Sequence, residues 1–324
     1  MRRRRFLACL SGAATLPLLA LPGSTQERIA TVGVLVTGAT NPSPEIFLKG
    51  LRNALAQIGL VEGRNLKLEI RSAQGSLERL PDLAAELVRL KVDVIVAHLT
   101  PAAQAAKQAT QSVPVVMAGV GDALGTGLVA SLARPGGNVT GFSSAVTEIA
   151  GKSLELIREV FPSAHTVGVL ANEVDPFTRP YVAQIDQSGR RLGLRIEHFM
   201  QRPADPQQPA FESMKAKAID ALIVQGTISR QETVDLTIKY KMPSLGSGIA
   251  WPTAGGLMSY SANLDEVYRA VSDYVDKILK GRTPAELPVS LPTKFDLVVN
   301  MKTAKAIGVT IPESFLTRAD EVIE

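Results

Sequence analysis

VDVIVAHLTPAAQAAKQ, residues 92–108, decides the fold. Its first part is a β-branched apolar run bounded by Asp93 and by Thr100-Pro101, the pattern of a strand buried on both faces of a parallel sheet. Its second part is Ala-rich. Pro101 suits a first helical turn, where its missing N–H costs nothing, so the spacing predicts strand, turn and helix with Thr100 as N-cap. In a parallel sheet the carboxyl ends of the strands open onto a crevice. A helix starting there turns free N–H groups and its positive dipole end toward that crevice, which suits a carboxylate.

The same device recurs further on. Asp220–Thr227, DALIVQGT, repeats Asp93–Thr100, DVIVAHLT, with the acid first and Thr last. Thr31-Val32-Gly33-Val34-Leu35 is identical to Thr166-Val167-Gly168-Val169-Leu170. Gly59-Leu60 matches Gly193-Leu194, and Val113-Pro114 matches Met242-Pro243. These correspondences keep one order and nearly one spacing, so the chain is read as two copies of one α/β unit.

The stretch before the first copy is not fold. Arg2–Arg5 precede an apolar run, Phe6–Leu21, interrupted by Gly12 and Pro17, the layout of an export signal occupying residues 1–26. Arg3-Arg4-Arg5-Phe6-Leu7 fits the twin-arginine pattern. The run is too short and too broken for a membrane span, which needs roughly 20 apolar residues. Cys9 lies inside it, so its removal leaves no thiol nucleophile, disulfide or Cys-based metal site. Removal also resets the charge. Of 35 Lys and Arg, four stand at Arg2–Arg5, leaving 31 against 31 Asp and Glu, which argues against nucleic acid as a partner. The 45% hydrophobic and 20% charged composition is that of a globular chain long enough for two domains.

Strand and helix patterns alternate through both copies. In the first, strands are read at 29–37, 66–71 and 113–117 beside the opening stretch, with helices at 45–59 and 77–90. In the second, helices are read up to Phe161 and at 181–192, with strands at 165–171, 194–200 and 221–225. A helix over 265–281 and a strand over 294–300 follow. The alternation predicts an α/β protein of two doubly wound, Rossmann-like parallel-sheet domains joined by a multi-stranded hinge. Residues 27–143 plus 256–285 form the first domain, and 144–255 plus 286–324 the second.

At this point the residues carry a resemblance. Gly59–Asn65 (GLVEGRN), Leu80–Ile95, Val129–Gly141 (VASLARPGGNVTG), Gly255–Tyr260 (GGLMSY), Tyr274–Gly281 (YVDKILKG), Pro292–Asn300 (PTKFDLVVN) and the tail from Ala304 resemble the ABC transporter substrate-binding protein family, which includes aromatic amino-acid binders. The resemblance implies a type I periplasmic binding fold and a monomer exported to the periplasm. It also implies a small-molecule solute clasped between lobes, delivery to a cognate permease with its ATPase, and no cofactor. Family pattern and physics agree on a ligand facing the carboxyl ends of both sheets.

That reading nominates Thr37, Gly38, His98, Thr100, Ala102, Gly121 and Asp122 in the first domain. In the second it nominates Asn172, Asp175, Gln225, Thr227, Gly246 and Ser247, with Tyr260 near a crossing. For an amino acid, the helix after Thr100 takes the carboxylate and either Asp122 or Asp175 takes the ammonium, while Tyr260 and Trp251 can stack on an aromatic side chain. Relatives usually carry Gly at position 99, where this chain has Leu, and Glu173-Val174 replaces a Pro-containing segment. His98, His165 and His198 lie far apart, and G-x-S-x-G, HExxH and P-loop motifs are absent, so neither an enzyme nor a metal centre is indicated. The alternative is an exported hydrolase or ligand-sensing domain on the same scaffold.

Overall fold

The structure is a computed structural model that describes residues 29–38, 44–202, 205–228 and 231–324. Residues 1–26, which the sequence reading assigns to an export signal, lie outside them.

The chain runs β1 (Ala30–Val36), α1 (Pro44–Gln57), β2 (Leu66–Ser72), α2 (Leu80–Arg89), β3 (Val94–His98), α3 (Leu99–Ala109), β4 (Val115–Val120) and β5 (Val139–Ser143). These strands form one sheet in the order β2-β1-β3-β4-β5, every neighbour parallel. It continues through α4 (Val146–Val160), β6 (Thr166–Asn172), α5 (Thr178–Leu192), β7 (Arg195–Gln201), α6 (Gln208–Ala216), β8 (Ala221–Val224), α7 (Gln231–Lys239), β9 (Ser244–Gly246), α8 (Ala250–Thr253) and β10 (Met258–Ala262). Helix α9 (Leu264–Leu279) returns to the first sheet. β11 (Phe295–Asn300), α10 (Met301–Ile307), α11 (Glu313–Leu316) and β12 (Glu321–Ile323) complete the second. The second sheet has the order β12-β11-β10-β9-β8-β6-β7 and is parallel except where β11 runs antiparallel to β10.

The repeat has a physical basis. The order β2-β1-β3-β4 is matched by β7-β6-β8-β9. The acid that opens each second motif binds the backbone of the first. Asp93 accepts from Thr31 N at 2.8 Å, and Asp220 accepts from Thr166 N at 2.8 Å and from His165 N at 2.8 Å. The shared glycine stands where packing against the neighbouring side chains is tight. A Cβ at Gly33 would lie 3.2 Å from Leu87 and Val92, and one at Gly168 would lie 3.1 Å from Ile219. Both faces of both sheets are covered by apolar clusters, which is why β3 and β8 read as unbroken apolar runs.

Three segments cross between the sheets: β5 to α4, β10 to α9, and Ser290 to β11. The second crossing differs from the sequence expectation, which counted residue 256 onward with the first domain. Strand β10 pairs with β9 and β11, and the chain turns back only at Asn263, whose side chain caps α9 by accepting from Glu266 N. Residues past 285 also stay with the first sheet. Thr140 Oγ1 donates to Leu287 O at 2.6 Å, and Ser143 N donates to Ser290 O at 2.9 Å.

Candidate functional site

A cavity of about 240 Å³ lies between the two sheets, at the carboxyl ends of β3 and β4 on one side and of β6, β8 and β9 on the other. The first sheet contributes His98, Leu99, Thr100, Gly119 and Gly121, and the second contributes Asp175, Phe177, Gln225, Thr227 and Ser247. Phe47 from α1, Val267 and Tyr268 from α9, and Tyr260 from β10 close the remaining wall.

Among the described residues lining this cavity, Asp175 carries the one carboxyl group. It is 5% exposed and held by Thr227 Oγ1, donating at 2.7 Å, Gln225 Nε2 at 3.2 Å and Phe177 N at 2.9 Å. All three donors are neutral. Burial pushes the carboxyl above the usual range, against the pull of the Thr227 and Phe177 hydrogen bonds. Gln225 is fixed in turn, because its Oε1 accepts from Asn172 N at 2.8 Å and Thr178 Oγ1 at 3.0 Å. The repeat thus places Gln225 and Thr227 where the β8 strand ends, and the turn after β6 delivers Asp175 to them.

Aromatic rings form much of the rest. Phe47 stacks on His98 at 4.1 Å and 23°, with Tyr268 at 6.0 Å from Phe47. Phe177 lies 5.3 Å from Tyr181, and Tyr260 stacks on Phe295 at 5.4 Å. Removal from water lowers the His98 imidazole to about 4 and raises the Tyr268 phenol to about 12, the latter helped by Asp265. His98 is therefore a neutral ring at pH 7. Its folded-state value lies below the ordinary 6.5, so as pH falls from 6.5 to 4 the unfolded chain binds a proton that the folded one refuses, and stability declines across that window. His98→Gln should flatten that part of the curve of melting temperature against pH by a few degrees.

The two lobes touch here. A Cβ built on Gly121 would sit 2.4 Å from Phe177 Cε2 and Cζ, so the ring of one lobe rests directly on the backbone of the other.

Of the residues nominated from sequence, His98, Thr100, Gly121, Asp175, Gln225, Thr227, Ser247 and Tyr260 line the cavity. The others do not. Thr37 is fully buried, and Gly38 (φ +72°) packs on Ser72 and Gln74. Ala102 belongs to the core of the first lobe, on the buried face of α3. Asp122 closes a turn, its Oδ1 accepting from Leu124 N at 3.1 Å and Gly125 N at 2.8 Å. Asn172 is buried behind the site, accepting from Val174 N and from Thr178 Oγ1. Gly246 and Gly256 sandwich Trp251, which is wholly buried in the second lobe and cannot stack on a ligand. Thr100 is not the N-cap of α3. The helix opens one residue earlier, with His98 capping without a side-chain bond, and the Thr100 hydroxyl instead accepts from Gly121 N at 3.1 Å.

Phe47, Phe177, Tyr181 and Tyr268 were not nominated. Phe177 follows Asp175 on the connection from β6 to α5, at the cleft end of the sheet, so an aromatic there is the available signal. Phe47 and Tyr268 carried no such signal, since both fit the apolar stripe of an amphipathic helix.

Two parallel-sheet lobes, three crossings and a cavity at facing strand ends define a two-lobe solute-binding protein of the type I periplasmic class. The chain belongs to the ABC transporter substrate binding protein family, whose sequence model matches residues 31–323. It is 27% identical over 271 residues to a tyrosine-binding protein of Clostridioides difficile, covering 82% of this chain and 78% of that protein. It is similar to a solved conserved domain protein of Vibrio cholerae (TM-score 0.84, 29% identity, 91% of this chain and 100% of that one). It is also similar to an ABC domain from Streptococcus pneumoniae solved in complex with L-Trp (TM-score 0.82, 30% identity, 91% of this chain and 99% of that one). Among the described residues no helix is long and apolar enough to cross a membrane.

Proposed function

We propose that this protein is the extracytoplasmic solute-binding component of an ABC importer and that its cargo is a free α-amino acid with an apolar side chain. The observation that carries the reading is Asp175, a buried carboxylate on the cavity wall whose donors are all neutral. A buried carboxyl of this kind ionises readily only beside a cation, and the ammonium of an amino acid supplies one. The carboxylate then goes to the uncapped start of α3, where the first N–H groups lack intrahelical partners and the dipole favours an anion. The side chain lies among Phe47, His98, Tyr260 and Tyr268. Thr100, Gly121, Gln225, Thr227 and Ser247 complete the contacts. The tyrosine-binding and L-Trp-bound relatives support the ligand class.

In this reading residues 1–26 direct export to the periplasm, and the protein acts as a monomer that closes on its solute and passes it unchanged to a permease with its ATPase. Closure draws its energy from tighter binding to the closed state. Thermal denaturation against the common amino acids and benzoate tests the assignment. The cognate amino acid at 100 times its dissociation constant should add about 2.7 kcal/mol of stability, whereas benzoate, which brings a second anion to Asp175, should add none. Stabilisation by benzoate alone, or consumption of the solute over hours, would overturn it.

A further inference from the structure

Leu99 stands at the first position of α3 with φ +67°, in the left-handed region that branched side chains avoid. Other non-glycine residues with positive φ are unremarkable in place. Lys91, Ala218 and Lys241 follow the ends of α2, α6 and α7, where helices commonly stop in this conformation, and Gln74 lies in a loop. Among the described residues, Leu99 alone of these lines the cavity. A large side chain kept in an unfavourable backbone region, at a ligand wall, points from strain to function. The cavity is correspondingly small, about 240 Å³ against the roughly 300–1,000 Å³ usual for small-molecule sites.

We propose that Leu99 sets the size limit of the side-chain compartment, admitting an aliphatic or single-ring amino acid and shutting out a fused two-ring side chain. This rests on the amino-acid reading above. The leucine occupies volume that a glycine, the residue best suited to φ +67°, would leave open to the ligand.

Two substitutions separate volume from strain. Leu99→Ala opens the compartment and keeps the left-handed backbone strained, whereas Leu99→Gly opens it and relieves the strain. Calorimetric titration of wild type and both variants with L-Leu, L-Phe and L-Trp should show the Trp-to-Leu affinity ratio rising at least tenfold in each variant. The ligand-free melting temperature of Leu99→Gly should exceed that of Leu99→Ala. Phenol and indole, followed by ligand NMR, form a parallel series, because they carry one ring or two without the charged groups. If no amino acid binds but indole gains on phenol in both variants, the amino-acid reading fails and the size limit stands. The proposal is overturned if wild type already binds L-Trp as tightly as L-Leu. It is also overturned if the indole-to-phenol ratio, or the Trp-to-Leu ratio in a protein that binds amino acids, stays within twofold of wild type in both variants.

Discussion

Asp175→Asn weakens amino-acid binding at least about a hundredfold and removes the pH dependence that the buried carboxyl gives to ligand-free stability. The first half follows from charge. The carboxylate is 5% exposed, and its three hydrogen-bond donors bring no positive charge, so a bound ammonium is its sole ionic partner in the site proposed. Breaking a buried pair by neutralising one member costs about 3–5 kcal/mol, which is roughly a hundred- to several-thousand-fold in affinity. The second half follows from the same burial. Burial raises the Asp175 carboxyl above its ordinary 3.8, so the folded state holds that proton more tightly than the unfolded one. Stability from the protonated form is complete below 3.8 and is lost as pH rises through the raised folded value. The asparagine removes that loss. Binding of an ammonium favours the ionised form, so ligand uptake in this window releases a proton and affinity climbs with pH. Isothermal titration in two buffers of different ionisation enthalpy detects that proton, which the variant should not release.

The second large effect is steric. Gly121→Ala places a methyl group 2.4 Å from two carbons of the Phe177 ring, at the point where the lobes meet. Real Cβ atoms do not approach carbon so closely, so either the ring or the lobes must move. Overpacking of this kind costs about 1–3 kcal/mol, and here it falls on the contact between the lobes beside the cavity, which should weaken ligand binding about 5- to 150-fold. The core of each lobe is untouched, so ligand-free melting stays near wild type. Phe177→Ala supplies the control. It removes the obstruction together with one cavity wall, so the double variant Gly121→Ala/Phe177→Ala should bind no more weakly than Phe177→Ala alone. Additive losses would place the effect of Gly121 elsewhere.

Much of the architecture was legible because it is written twice. The identical TVGVL segments and paired Asp-to-Thr motifs meet in the structure as Asp93 on Thr31 and Asp220 on Thr166, two interactions that demand those residues at those positions. The polar part of the cavity was legible for a related reason. Loops at the carboxyl ends of parallel strands face the crevice, and Asp175, Gln225 and Thr227 stand on such loops. Position along a loop does not reveal direction, however. Asp122 shares the cleft side of its lobe with Gly121, yet its carboxylate turns back onto Leu124 and Gly125, an Asx-type turn that Asp122-Ala123-Leu124-Gly125 carries in its own sequence.

The aromatic wall was the least legible part. Phe47 and Tyr268 sit in the opening turns of α1 and α9 and fit the apolar stripes of those helices, which hides the fact that the same stripe reaches the cavity. Trp251 misleads in the opposite direction. A lone tryptophan near the cleft suggests stacking, but Gly246 and Gly256 leave room for its indole on both sides and draw it into the core. The backbone of Leu99 had no sequence signature, since its positive φ arises from how α3 leaves β3.

Native mass spectrometry of the protein, after exposure to an equimolar mixture of the common amino acids with benzoate, tests the central claim most directly. One added mass per chain, equal to a single intact α-amino acid and missing from Asp175→Asn, is the predicted result. Retention of benzoate, or an amino-acid adduct of equal intensity on wild type and Asp175→Asn, would contradict it.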